Sequence, residues 1–160
     1  ANELVRVAES HLESFEKSIQ RITTFAALNV PDKNDLSYSV SVKALDRIRE
    51  KAARKYDGDN LQVKDILRAQ IVFPDEGSLV CALMVLNKLS NANSDDGSPH
   101  EPMTVCRIKN LFQVSALGKF VAPPLPTGYR HILVNVRLKD GFLAEIQCQL
   151  SQIFEVMGKP

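Results

Sequence analysis

The sequence predicts an α/β (α+β) domain, a single sheet with helices packed against it and a helix at the N-terminus. Three observations predict it. Helical and strand-like periodicities alternate along the chain, with five strand candidates among three helical stretches. Residues 130–138 and 142–150 alternate in polarity around the turn signal Lys139-Asp140-Gly141, which reads as a hairpin. The length of 160 residues is enough to bury a sizeable core without disulfides or metal, so residues 1–160 read as a single domain.

The elements follow in order. Residues 3–28 carry Leu4, Ala8, Leu12, Phe15, Ile19, Ile22 and Ala26 at helical spacing, and residues 29–37, with Pro31 and Asp32, interrupt it. The core proper is expected over residues 36–152. Residues 36–42 read as a short extended piece and 43–56 as a second helix, ended by Asp57-Gly58-Asp59. Residues 68–73 are strand-like, Pro74-Asp75 turns the chain, and 76–89 form a third helix. A polar loop over 90–102 leads to a strand candidate at 103–109. A long connection over 110–127, with Pro123, Pro124 and Pro126, then leads to the hairpin; long loops in compact domains are often functional.

Composition excludes several classes. A net charge of +1 predicts neither a long nucleic-acid track nor a strongly anionic partner, so local basic clusters matter more than the total. Cys81, Cys106 and Cys148 are odd in number and lack metal-type spacing; they read as reduced core cysteines, which favours an intracellular, cytoplasmic location. No apolar run approaches a membrane span, and there is no signal-peptide pattern. The chain starts and stops abruptly, so further domains or protein partners are compatible with it. His11, His100 and His131 do not have zinc-site spacing, and neither a Walker-type loop nor a G-x-S-x-G elbow occurs.

Two groups of polar residues stand out. In the hairpin, His131, Leu133, Asn135 and Arg137 share one face, as do Glu145, Gln147 and Gln149 on the next strand. This is either the wet outer face of an antiparallel sheet or a polar binding floor beside Gly128-Tyr129-Arg130. In the second helix, Leu45, Ile48, Ala52 and Tyr56 make a core side, while Lys43, Arg47 and Lys51 stack at i, i+4, i+8. Three stacked cations either face solvent or bind an anion.

Several segments resemble the RelA/SpoT-type synthetase domain. G-Y-R at 128–130, a strand, a turn and E-I-Q at 145–147 look like that family's G-Y-R-S-L-H and E-I-Q-x-R-T. D-I-L-R-A-Q-I-V at 65–72 is similar to its D-I-x-G-x-R-I-V, and Lys43 and Lys51 match its basic helix with two lysines eight positions apart. The pieces occur in the family's order over residues 41–152. The resemblance implies a nucleotidyltransferase-like mixed sheet of about five strands that binds a nucleotide or related phosphorylated small molecule. It implies Mg²⁺-dependent pyrophosphoryl or nucleotidyl transfer from ATP to a hydroxyl, chemistry that needs positioning and charge neutralisation more than covalent help.

The same resemblance assigns roles. Asp65 matches the metal-holding carboxylate, and Glu145 the carboxylate beside the acceptor hydroxyl, as metal ligand or base. Lys43 and Lys51 match lysines near the donor triphosphate, and Tyr129 the ring that stacks on the acceptor base. Arg47, Arg68, Lys109, Lys119, Arg130, Asn135 and Gln147 complete the expected nucleotide-binding set. The chain also departs from the pattern, as a divergent branch of the family. Gln70 stands where the family has Arg, and Arg68 where it has Gly. Ser41 replaces an Arg, Leu133 a His, and Gln149-Leu150 an Arg-Thr. A neutral amide does not replace a bidentate guanidinium against phosphate. The alternative expectation is therefore a catalytically inactive nucleotide-sensing or protein-interaction module.

Overall fold

A computed structural model of the protein describes residues 2–59, 63–91, 103–113, 115–117, 119 and 130–151. The chain begins with helix α1 (Asn2–Ala26), passes through two 3-10 turns (Ala27–Asn29 and Lys33–Asp35), and reaches strand β1 (Ser37–Val42). Helix α2 (Leu45–Lys55) leads to β2 (Leu67–Phe73), and α3 (Glu76–Asn91) to β3 (Thr104–Asn110). Strands β4 (Ile132–Arg137) and β5 (Leu143–Leu150) complete the sheet. Its order is β1-β2-β5-β4-β3; only the central β2–β5 pair is parallel.

Alternation sorts the strands into two faces. Leu67, Ala69, Ile71 and Phe73 of β2 pair with Ala144, Ile146, Cys148 and Leu150 of β5, and Val136, Val134 and Ile132 of β4 continue the row. This apolar face packs against α1 and α3. Helix α1 contributes Ala8, Phe15, Ile19, Ile22 and Ala26, all buried at the spacing the sequence shows. A fully buried Ile or Phe of this kind contributes about 1.5–3 kcal/mol.

The turns follow from local chemistry. The hairpin closes through Gly141 at φ 88°, whose N–H donates to the Leu138 carbonyl, while Asp140 accepts from the Phe142 N–H. This is a turn with glycine at the left-handed position, as the sequence predicts. Helix α2 ends where the Gly58 N–H reaches back to the Ala52 carbonyl, with Asp57 and Gly58 both at positive φ.

One expectation needs correction. The second helix starts at Leu45, not at residue 43. The Lys43 N–H donates to the Ile66 carbonyl at 2.7 Å, which extends the β1–β2 pairing, and Ala44 is still extended at ψ 146°. The sheet thus claims the Lys43 backbone before the helix does. Of the two readings left open for the hairpin's polar face, the wet outer surface does not fit, because His131, Asn135, Glu145 and Gln149 are all buried.

Candidate functional site

The end of β1, helix α2 and the start of β2 enclose a cleft of about 330 Å³, lined by Ser41, Val42, Lys43, Ala44, Arg47, Glu50, Lys51, Arg54 and Arg68. Five of these side chains are cationic and one is acidic, so the cleft suits an anion. Lys43 enters from the β1–α2 junction. Arg47, Lys51 and Arg54 come from successive turns of one helix face, which Ile48 and Ala52 hold in place by their burial on another face. Arg68, exposed on β2, donates from Nε to Ser41 Oγ at 3.4 Å.

At one end of this cleft lies Asp65, just before β2. Lys43 Nζ donates to Asp65 Oδ2 at 2.5 Å and Lys51 Nζ to Oδ1 at 2.8 Å. These contacts join residues 22 and 14 positions apart in sequence. The three side chains are 11%, 22% and 11% exposed for Lys43, Lys51 and Asp65, so they form a semi-buried charge cluster rather than a surface pair. Burial alone would raise the Asp65 carboxyl, but hydrogen bonds from the two ammoniums outweigh it and hold the group below its ordinary range. Lys43 is moved below its ordinary value because burial outweighs its bond to Asp65, with Lys51 and Arg68 adding repulsion. One carboxylate is shared by two ammoniums; the anion gains from both, while each cation has half a partner.

Glu145 sits on the polar sheet face, opposite Arg68 on β2 and Asn135 on β4. Gln147 Nε2 donates to Glu145 Oε1 at 3.0 Å. Burial pushes its carboxyl above the usual range; Gln147 opposes this, and the Asp65 charge adds to it. Lys51 and Lys43 also act on Glu145 electrostatically, so the two carboxylates belong to one electrostatic neighbourhood. Further along the same face, Gln70 Nε2 donates to Gln149 Oε1 at 2.9 Å. The amide that stands in place of the family's Arg therefore joins a neutral pair.

The structure brings Lys43, Arg47, Lys51 and Arg68 to one cleft, ties Asp65 to it through Lys43 and Lys51, and places Glu145 opposite Arg68 on the sheet, with Asn135 and Gln147 beside it. Other expected residues lie apart from the cleft lining. Arg130 donates from Nη1 to the Leu111 carbonyl at 2.7 Å, tying the approach to β4 to the end of β3. Lys109 is exposed on β3 opposite Leu133; burial lowers the His131 imidazole, and the Lys109 charge adds to it. Lys119 is exposed, and its carbonyl accepts from the Ser115 N–H. Tyr129 lies outside the described residues, as does most of the proline-rich connection. Arg54 was not among the expected residues. Its place three positions beyond Lys51 continues the cationic stripe at helical spacing, a signal the sequence carries.

Among the described residues no group of three or more His, Cys, Asp or Glu side chains is arranged to hold a metal. The donor set nevertheless fits Mg²⁺ in one mode. That ion uses one or two carboxylates and takes its other oxygens from phosphates and water. Asp65 and Glu145 meet that requirement, but both Asp65 oxygens already accept from lysine. The residues fit an ion that arrives with a phosphate ligand, not one caged by protein alone.

The five-stranded mixed sheet with a leading helix is the fold seen in solved small alarmone synthetases and in a GTP pyrophosphokinase family protein. Among solved structures it resembles small alarmone synthetase 1 from Bacillus subtilis bound to its product pppGpp, with a TM-score of 0.59 at 18% identity over 92% of this chain and 71% of that one. A GTP pyrophosphokinase family protein from Streptococcus pneumoniae gives 0.56 at 16% identity, covering 89% and 65%. A chain in the crystal structure of the complex between the Type VI effector Tas1 and its immunity protein gives 0.62 at 15% identity, covering 96% of this chain and 62% of that one. The chain thus spans roughly two thirds of the length of these structures. No family model matches the sequence, and no curated protein matches it. The expected fold class is borne out. No helix among the described residues is long and apolar enough to cross a membrane.

Proposed function

We propose that the chain is a nucleoside triphosphate-binding domain whose phosphates lie in the cleft between β1, α2 and β2. The observation that carries this reading is the convergence of Lys43, Arg47, Lys51, Arg54 and Arg68 on one cavity beside Asp65. Guanidinium and ammonium groups converging on one cleft match a chain of phosphates, and semi-burial strengthens the contacts of Lys43 and Lys51. Asp65 is the residue that would hold Mg²⁺, with Glu145 either as a second ligand or as the base beside the acceptor hydroxyl; the ion would neutralise charge on the transferred phosphates. Tyr129 is proposed to stack on the acceptor base. B. subtilis small alarmone synthetase 1 has been solved with pppGpp and with AMPCPP, which supports nucleotides as the ligand class.

In the active form of this reading, an acceptor hydroxyl oxygen attacks the β-phosphorus of ATP. The bond from that phosphorus to the bridging α-phosphate oxygen breaks, AMP leaves, and the hydroxyl proton passes to the Glu145 carboxylate. Burial raises that carboxyl, which suits a proton acceptor. A second reading has an observation of its own. Gln70 is bonded to Gln149 instead of offering a guanidinium to phosphate, which favours a nucleotide sensor that performs no transfer.

Labelled ATP incubated with Mg²⁺ and candidate acceptor nucleotides, followed by chromatography, separates the two. Labelled AMP and a pyrophosphorylated acceptor would establish transfer; saturable binding without turnover would establish the sensor. Absence of any nucleotide binding would remove both.

A further inference from the structure

Helix α3 packs on the apolar face of the sheet beside α1, yet its outward side is apolar too. From Leu79 to Leu86 it carries eight consecutive non-polar residues, Cys81 included. Leu79, Ala82 and Leu86 are buried, whereas Val80 and Met84 are 51% and 60% exposed. A surface helix normally shows polar residues on its solvent side. The exposed residues of α1 obey that rule as far as Thr24 and depart from it at Phe25, 47% exposed, followed by Leu28, 65% exposed, in the next turn. That end of α1 meets α3, where Cys81 Sγ donates to the Phe25 carbonyl at 3.8 Å. The four apolar side chains thus gather where the two helices meet, the kind of surface that marks a protein interface.

The exposed residues of α3 show what fits this surface. Glu76, Val80, Met84 and Lys88 recur at i, i+4, i+8 and i+12 and form one ridge of the helix, with Gly77 and Asn87 exposed beside it. The ridge is acidic at its start, apolar in its middle and basic at its end. Such end charges also complement the helix dipole, so by themselves they need no partner; the apolar middle does. Turned over by a twofold axis at the level of Ala82, the ridge is its own complement. Val80 of one copy lies against Met84 of the other, and Glu76 against Lys88. Two ridges of this i±4 kind run side by side when helices cross at about −50°, the commonest helix packing. We propose that the chain associates with a second copy of itself through α3, with Phe25 and Leu28 widening the apolar centre. Each favourable pair then occurs twice, as in any isologous contact. The cleft stays open in this arrangement, because α3 covers the apolar face of the sheet and Arg68 stands on the other.

Sedimentation velocity of the whole chain over a concentration series tests this. Wild type is expected to pass from monomer to dimer as concentration rises. Met84→Glu places an unpaired charge in the desolvated centre, so the variant is expected to remain monomeric at about ten times the wild-type midpoint concentration. The ridge charges supply a second test on side chains at the rim. Glu76→Lys and Lys88→Glu each set like charges against one another in a homodimer, and each alone is expected to dimerise about tenfold more weakly. Mixed in equal amounts, the two variants regain both opposite-charge pairs and should return to the wild-type midpoint as a heterodimer. A wild type monomeric at every concentration would overturn the proposal and leave the surface to a different protein. An assembly that Met84→Glu leaves unchanged would overturn it too, since the contact would then lie elsewhere. If Met84→Glu fails to fold, the mixing experiment decides, and charge variants that gain nothing from one another contradict the twofold α3 contact.

Discussion

Asp65 and Glu145 are buried almost equally, at 8% and 7% exposure of the whole residue, yet their carboxyl groups move in opposite directions. Asp65 is met by two ammoniums in direct contact and stays below the ordinary range. Glu145 is met by a neutral amide, with the Asp65 charge nearby, and rises above it. Burial sets the size of the stake, and the first hydrogen-bonding neighbour sets its sign. Two carboxylates held on opposite sides of their usual value suit different tasks, one fixed as an anion and one poised to take a proton.

The largest effect is expected from stripping Asp65 of its partners. Lys43→Ala combined with Lys51→Ala leaves a buried carboxylate alone, and breaking a buried pair in this way costs about 3–5 kcal/mol. Urea unfolding measures it, and a loss below about 1 kcal/mol, as for exposed pairs, would place the cluster at the surface. The sequence reading treated these lysines as members of a helical stripe; their burial with Asp65 makes them part of the folded framework as well.

A smaller effect separates the carboxylates by pH. The folded value of Asp65 is depressed, so its stabilisation is full above the unfolded carboxylate value and is lost as pH falls through the folded one. The folded value of Glu145 is raised, so its ionisation penalises the native state above that value, and the penalty disappears on acidification below the unfolded one. Glu145→Gln is therefore expected to be more stable than wild type at neutral pH, with the advantage fading in acid. Unfolding curves across this range check the sign. A variant less stable than wild type at neutral pH would show that Glu145 is stabilised as an anion.

The exposed cations of the cleft offer a cleaner separation of binding from folding. Arg47→Ala with Arg54→Ala is expected to weaken triphosphate affinity at least tenfold while changing stability by less than about 1 kcal/mol, since Arg47 is 70% exposed and its contact with Glu50 is a surface pair. Calorimetry with a non-hydrolysable triphosphate checks the first part and thermal melting the second. The smallest effect falls on the neutral amides. Gln70→Ala removes one hydrogen bond to Gln149 and should cost about 1 kcal/mol, leaving triphosphate affinity unchanged.

Particular residues show what the sequence carried. Gly141, with Asp140, announced the hairpin, and the period of Ala8, Phe15, Ile19 and Ile22 announced α1; both signals are local, so one sequence suffices to read them. The helix start was missed because Lys43 is claimed by a bond to Ile66, a partner that periodicity does not reveal. The burial of Asn135, Glu145 and Gln149 was not legible either, because alternation says which residues share a face and nothing about what lies above it. Resemblance to a known family placed Lys43, Lys51 and Asp65 in one site, whereas local pattern alone left them as a solvated stripe and a turn residue. Arg54 was legible from spacing and went unread.

The most direct measurement is a crystal structure of the whole chain with Mg²⁺ and a non-hydrolysable nucleoside triphosphate. The expected result is a triphosphate lying along α2, its oxygens on Lys43, Lys51 and the Arg47, Arg54 and Arg68 guanidiniums, with Asp65 turned from the lysines to the metal. A triphosphate bound elsewhere, with both lysine bonds to Asp65 intact, would contradict the account.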